Sequence, residues 1–119
     1  MKYLMLIKHS ESYRGEPIPQ PLMDAMGELV TQGFNSGILK DTAGLKPTAE
    51  GFRVRLSNKQ LKVTDGPFTE AKEVVGGYAL VEIGSKAEAL EFARRFMDLH
   101  RVHWPTFEGE CEVRPLEDM

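Results

Sequence analysis

Cysteine occurs once in the 119 residues, at Cys111. No internal disulfide can therefore brace the fold, and a reducing, cytoplasmic setting suits the chain. Long apolar runs are missing as well, since no stretch approaches the ~20 residues that span a bilayer, which argues against a membrane partner. Met1-Lys2 leads into an apolar segment of strand length with no small-residue cleavage site behind it, a pattern that predicts no secretory signal. Neither sign of charge dominates. Fifteen basic residues are scattered among 18 acidic ones for a net charge of −3, without the basic footprint of a nucleic-acid binder. The sequence also lacks GxGxxG, a P-loop, HExxH and GxSxG, so nucleotide, zinc-protease and serine-hydrolase readings have no support and no cofactor is implied.

What is present is an ordinary globular composition, 41% hydrophobic and 28% charged, which argues against a disordered chain. A chain of this length buries roughly two-thirds of its unfolded surface, enough for a single domain over residues 1–119. Tyr3 to Ile7 is apolar on both faces of a strand, the pattern of a central strand. Leu22, Met26, Leu29, Val30 and Gly33 fall at helical spacing behind Pro21, predicting a helix over 20–35 that stops near Asn35 to Gly37. A weakly patterned strand begins at Ile38. Phe52, Val54 and Leu56 alternate with Arg53, Arg55 and Ser57, the run 60–64 alternates again, and the polar, turn-like Ser57-Asn58-Lys59 between them predicts a hairpin. Val74 to Ile83 is the second strong strand, and its Gly76-Gly77 pair predicts a bulge or a close backbone approach. Ser85-Lys86-Ala87-Glu88 has the capping-box pattern, opening a helix with Ala89, Phe92, Ala93, Phe96 and Met97 on its buried stripe. Pro105 stops it, and 110–114 alternates as a last strand. The order gives an α+β, ferredoxin-like split βαβ plan with an inserted β-hairpin. One sheet face then has no helix from its own chain, although the strongest strands are apolar on both sides. The simplest cover is a second copy, so the chain is expected to form a homodimer that buries this face.

The most distinctive segment is Asp65-Gly66-Pro67-Phe68-Thr69-Glu70-Ala71-Lys72-Glu73, followed by Gly76-Gly77-Tyr78. Asp accepts bonds from amides two residues on, Gly takes dihedrals barred to other residues, and Pro fixes its own φ. Its plain structural reading is a rigid turn. Its functional reading is a turn that holds the Asp65 carboxylate at the mouth of a pocket. This segment resembles the signature of the DGPF proteins of the YCII-related superfamily, and Met1 to Ile7 is similar to that family's first strand. The resemblance runs over essentially the whole chain. It implies a ferredoxin-like domain that dimerises through its sheets, in the dimeric α/β-barrel group. It also implies a His–Asp pair in the cleft between sheet and helices, matched here by His9 and Asp65, and a setting near sigma-factor signalling.

An Asp beside a His orients the ring for general acid or base work. Gly66, Pro67 and Phe68 of the turn, with Tyr78 and Arg53, are candidate ligand-binding groups; a solvated strand face is the plainer reading for Arg53. His100 and His103 stand at i and i+3, a spacing open to a metal, but no further ligand completes a site. Complementing the helix C-terminal dipole is the reading preferred for them. Trp104 to Phe107 suits a pocket wall, a dimer contact or core packing equally. Cys111, without an activating neighbour, reads as a small buried hydrophobe. The function expected from these residues is cofactor-independent acid/base chemistry, of isomerase or lyase type, on a small organic substrate. The alternative is a non-catalytic ligand-binding or regulatory module.

Overall fold

Strand β1 (Lys2–His9) lies inside a four-stranded antiparallel sheet in the computed structural model, which describes residues 1–12 and 17–117. Strands β5 (Val74–Glu82) and β6 (Gly109–Pro115) pair with it on either side, and β2 (Leu39–Gly44) pairs with the far edge of β5. The strand order is β2-β5-β1-β6. Helix α1 (Gln20–Asn35) joins β1 to β2, and α2 (Lys86–His103) joins β5 to β6. This is the ferredoxin-like split βαβ plan of an α+β domain. A 3-10 turn (Thr48–Glu50) leads into β3 (Phe52–Ser57) and β4 (Gln60–Asp65), which form a separate two-stranded ribbon inserted between β2 and β5. Among the described residues, no helix is long and apolar enough to cross a membrane.

Local chemistry sets the element ends. Pro21 stands in the first turn of α1, where its missing amide costs no helical bond, and Gly37 follows the helix at φ 80°. At the start of α2 the Ser85 hydroxyl accepts from the Glu88 amide at 3.2 Å. The Glu88 carboxylate reaches back to the Gly84 amide at 3.0 Å, closing the box one residue ahead of Ser85. Asn58 and Lys59 both have positive φ, 51° and 64°, the two-residue turn whose twist matches the flanking strands.

The core places both helices on one face of the sheet. Tyr3, Met5, Leu39, Val81 and Ile83 meet Ala89 and Ala93 of α2, while Leu22 and Leu29 bury the inner side of α1. Strand alternation then turns Leu4, Leu6, Tyr78 and Leu80 toward the helix-free face, where they are half-buried. On that face Lys8 bridges Glu110 at 3.2 Å and Glu112 at 3.1 Å, and bonding to Glu112 first, then Glu110, raises its pKa. The expected irregularity at the paired glycines is a bulge: Ile7 faces Gly77 and Lys8 faces Val75, leaving Gly76 as the extra residue.

Candidate functional site

A cavity of about 430 Å³ opens between the helical face of the sheet and the two helices. Its walls are mostly apolar: Met5 and Ile7 from β1, Met26 and Val30 from α1, Phe92 and Phe96 from α2. The connector ahead of β6 adds Trp104 and Phe107, whose rings stack at 5.1 Å, so this aromatic segment is a pocket wall. Two imidazoles, His9 and His100, bring polarity to this lining. Such a space, apolar with a few convergent polar groups, is the common form of a small-molecule site.

His9 ends β1 on the core-facing side of the strand and is 8% exposed. Its Nδ1 lies 2.7 Å from the Ser10 carbonyl oxygen. A carbonyl only accepts, so Nδ1 is the donor in that bond, and Nε2 is the other nitrogen of the ring. That nitrogen sits over the bulged Gly76, 2.0 Å from the place a Cβ there would occupy. The backbone bulge and the imidazole therefore depend on each other. His100 is 7% exposed, and its Nδ1 faces the Phe96 carbonyl at 3.1 Å, where it is again the donor. Its ring packs against Phe96 at 4.8 Å and Phe107 at 4.9 Å. Burial lowers its pKa, the Phe96 carbonyl opposes that, and the nearby His9 lowers it further. His100 thus stands as a neutral imidazole with a basic Nε2.

Of the other candidates from the sequence, Tyr78 borders the cavity, but its hydroxyl donates to Asp41 Oδ2 at 2.9 Å on the neighbouring strand. That bond, followed by burial, raises the Tyr78 pKa. Asp65, Gly66, Pro67, Phe68 and Arg53 gather at the base of the β3–β4 ribbon, outside the lining of the cavity. Arg53 lies 3.7 Å above the Phe68 ring and pairs with Glu70. The turn is held by bonds the sequence did not signal. Gly66 N–H donates to the Gly51 carbonyl at 2.9 Å, and Phe68 N–H to the Thr48 hydroxyl at 3.1 Å. Thr48 in turn donates its amide and hydroxyl to Glu11 Oε1, at 2.9 and 3.1 Å. Glu11 stands two residues beyond His9, so this chain of bonds ties the motif to the end of β1 that carries the cavity histidine. The Asp65 carboxylate is exposed and has no hydrogen-bond partner among the described residues.

The model of the YCII-related domain family matches residues 1–97, from β1 through most of α2. The chain belongs to the YCII-related family. It is also 42% identical over 81 residues to an uncharacterised protein of Rhizobium meliloti (strain 1021), a match covering 68% of this chain and 61% of that relative. The matched family span of the YCII-related chain includes His9 and the whole motif, whereas His100, Phe107 and Cys111 lie beyond it.

In this YCII-related chain His100 is the functional candidate that residue types alone underrated, because a helix-end histidine suits the dipole equally well. The signal was its spacing. His100 follows Ala89, Ala93 and Phe96 on the buried stripe of α2 and therefore points inward. His103 is in the same last turn without lining the cavity, and among the described residues no three His, Cys, Asp or Glu side chains gather as a metal site.

Two expected results check these assignments. A histidine held neutral by the fold binds fewer protons than its unfolded form, so stability rises with pH through its titration range. Wild type should lose stability as pH falls below the ordinary histidine value of 6.5, and in His100→Phe that loss between pH 7.5 and 5.5 should shrink, read by thermal unfolding. Equal losses in both proteins would show that His100 is not held neutral. Cys111 also lines the cavity, and burial pushes its thiol up to about 11. At pH 8 only about one such thiol in a thousand is ionised, against roughly a quarter for an ordinary one. Labelling by a disulfide reagent should therefore run more than about 100-fold slower in the folded chain than in denaturant.

Proposed function

We propose that this chain takes a small, flat, largely apolar organic molecule into the cavity and moves a proton on it without a cofactor, the chemistry of an isomerase or lyase. The neutral, buried His100 facing an apolar space carries the reading, since an uncharged imidazole with a basic Nε2 is a competent general base. The proton taken up by His100 Nε2 would be given back by the same nitrogen at the neighbouring atom of the substrate, while His9 Nε2 would accept a hydrogen bond from a substrate hydroxyl. The substrate class that suits this lining is a phenol or an enolisable ketone. Hydrogen–deuterium exchange at the α-carbon of a panel of such ketones, followed by NMR, tests the chemistry. Exchange in wild type that is lost in His100→Phe supports it; binding without exchange rejects it.

A second reading, a non-catalytic ligand-binding module, is favoured by one observation: the cavity is lined mostly by apolar side chains such as Met5, Ile7, Met26, Phe92 and Phe96. A thermal shift with the same panel in the absence of exchange selects it. The proposed His9–Asp65 pair stays open to the same assay, because slower exchange in Asp65→Asn at unchanged binding would bring Asp65 to the site. Tyr78, Arg53 and the Gly66-Pro67-Phe68 turn would then place the substrate at its rim.

The proposal extends to assembly and place. The chain would act in the cytoplasm as a homodimer that buries the helix-free sheet face; Leu4, Leu6, Tyr78 and Leu80 on that face and the lone cysteine support this. Sedimentation equilibrium showing a stable monomer at micromolar concentration would remove the dimer.

A further inference from the structure

Two glycines in the wall of the cavity are not required by the fold. Gly33, Gly66, Gly76 and Gly109 are each explained by close contact, since a Cβ there would fall within 3.0 Å of a neighbouring atom, and Gly37 by its positive φ. Gly27 and Gly44 both line the cavity, and a Cβ on either would meet nothing within 4 Å among the described residues. Neither takes a positive φ. Gly27 stands in the middle of α1, where glycine weakens a helix relative to alanine. A glycine that costs stability and relieves no clash keeps something else open, and here that is space in the cavity.

The strand register shows how far this space runs. Gly44 faces Gly77, Gly77 faces Ile7 and Ile7 faces Cys111, so one row crosses all four strands, and each member lines the cavity. The floor is bare backbone at Gly44 and Gly77 and rises to a side chain at Ile7. Helix α1 lies against β2 and α2 against β6, which sets Gly27 over the glycine end and His100 over the other. Strands β2 and β1 are two spacings apart, roughly 10 Å. The polar anchor is His100, which is 7% exposed. Its Nδ1 is engaged by the Phe96 carbonyl, so Nε2 is the nitrogen offered to a hydroxyl group. A molecule that reaches from His100 to the glycines is longer than one aromatic ring and flat enough to lie on a backbone floor.

We propose that Gly27 and Gly44 set the specificity of the cavity by holding open a slot for the second ring of a fused bicyclic phenol, whose hydroxyl donates to His100 Nε2. The proposal rests on the reading that the cavity takes a flat organic molecule, and it narrows that class to one longer than a single ring. Calorimetric titration of the full chain with phenol and with 2-naphthol tests it. Wild type should bind 2-naphthol at least about tenfold more tightly than phenol, because the second ring is buried as well. In Gly27→Leu and in Gly44→Val, each checked for folding by circular dichroism, that preference should fall to about threefold or less. Ligand-free Gly27→Ala should melt about 2–5 °C above wild type, since the helix gains and the new methyl meets nothing. A lower melting temperature would show that the fold needs this glycine and would overturn the proposal. So would a preference for 2-naphthol that both filled variants keep. A wild type that binds neither compound removes the cavity reading and the proposal together, whereas one that binds both equally leaves that reading standing and rejects the slot alone.

Discussion

Gly66→Ala should destabilise the protein by about 3 kcal/mol or more, at the top of the range for overpacked sites. A Cβ at this position would fall 1.7 Å from the Thr48 carbonyl oxygen and 2.6 Å from its carbon. Both obstacles are backbone, so no side-chain rotation relieves them. The 3-10 turn would have to retreat, and with it the Thr48 hydroxyl that receives the Phe68 amide and the two bonds from Thr48 to Glu11. Thr48→Val isolates the polar part of that loss and should cost about 1–2 kcal/mol, because it strands the Phe68 amide and removes one donor from the Glu11 carboxylate. Asp65→Ala and Asp65→Asn, next door, should both stay within about 0.5 kcal/mol of wild type, as expected of an exposed side chain with no hydrogen-bond partner among the described residues. Urea unfolding of the four variants gives the ranking. A Gly66→Ala protein as stable as Asp65→Ala would mean that the turn does not pack on Thr48.

The contrast between Asp65 and Thr48 marks what was legible in the sequence. Elements made by short-range rules could be read directly: α1 from Pro21 and its apolar stripe, α2 from Ser85 and Glu88, the hairpin from the polar break Ser57-Asn58-Lys59, of which Asn58 and Lys59 form the turn and Ser57 ends β3. The bulge was legible for the same reason, since Gly76-Gly77 inside a strong strand has few other uses. The fold followed from the order of those elements. The site was legible only in part. His9 could be placed on the cavity side of β1 by alternation, and His100 by its helical stripe. The latch between Glu11, Thr48 and Phe68 could not be read, because it joins residues 37 and 20 positions apart and no local pattern encodes such a partner. Asp65 stands out in the sequence because Asp before Gly-Pro usually caps its own turn. Here a threonine from another segment does that work, which leaves the carboxylate in solvent.

Gly76→Ala offers the sharpest link between the fold and the site, because its effect should change sign with the residue at position 9. In wild type the new Cβ would meet His9 Nε2 at 2.0 Å and Cδ2 at 2.7 Å. The ring must swing away, losing its bond to the Ser10 carbonyl and its edge contact with Phe107 at 6.1 Å. A side chain yields more easily than backbone, so the cost should be about 1–3 kcal/mol, less than at Gly66. In a His9→Ala background the obstacle is gone. What remains is the ordinary benefit of replacing a strand glycine with alanine, about 0.5–1 kcal/mol in favour of folding. The double-mutant cycle should thus give a coupling of at least about 1 kcal/mol between residues 9 and 76, read by thermal or urea unfolding. Ligand binding supplies the second readout. Any cavity ligand that uses His9 should bind at least about tenfold more weakly to Gly76→Ala even where the protein remains folded, since the imidazole has left its place. If the cycle is additive, the imidazole does not rest on the bulge, and the glycine pair serves the backbone alone.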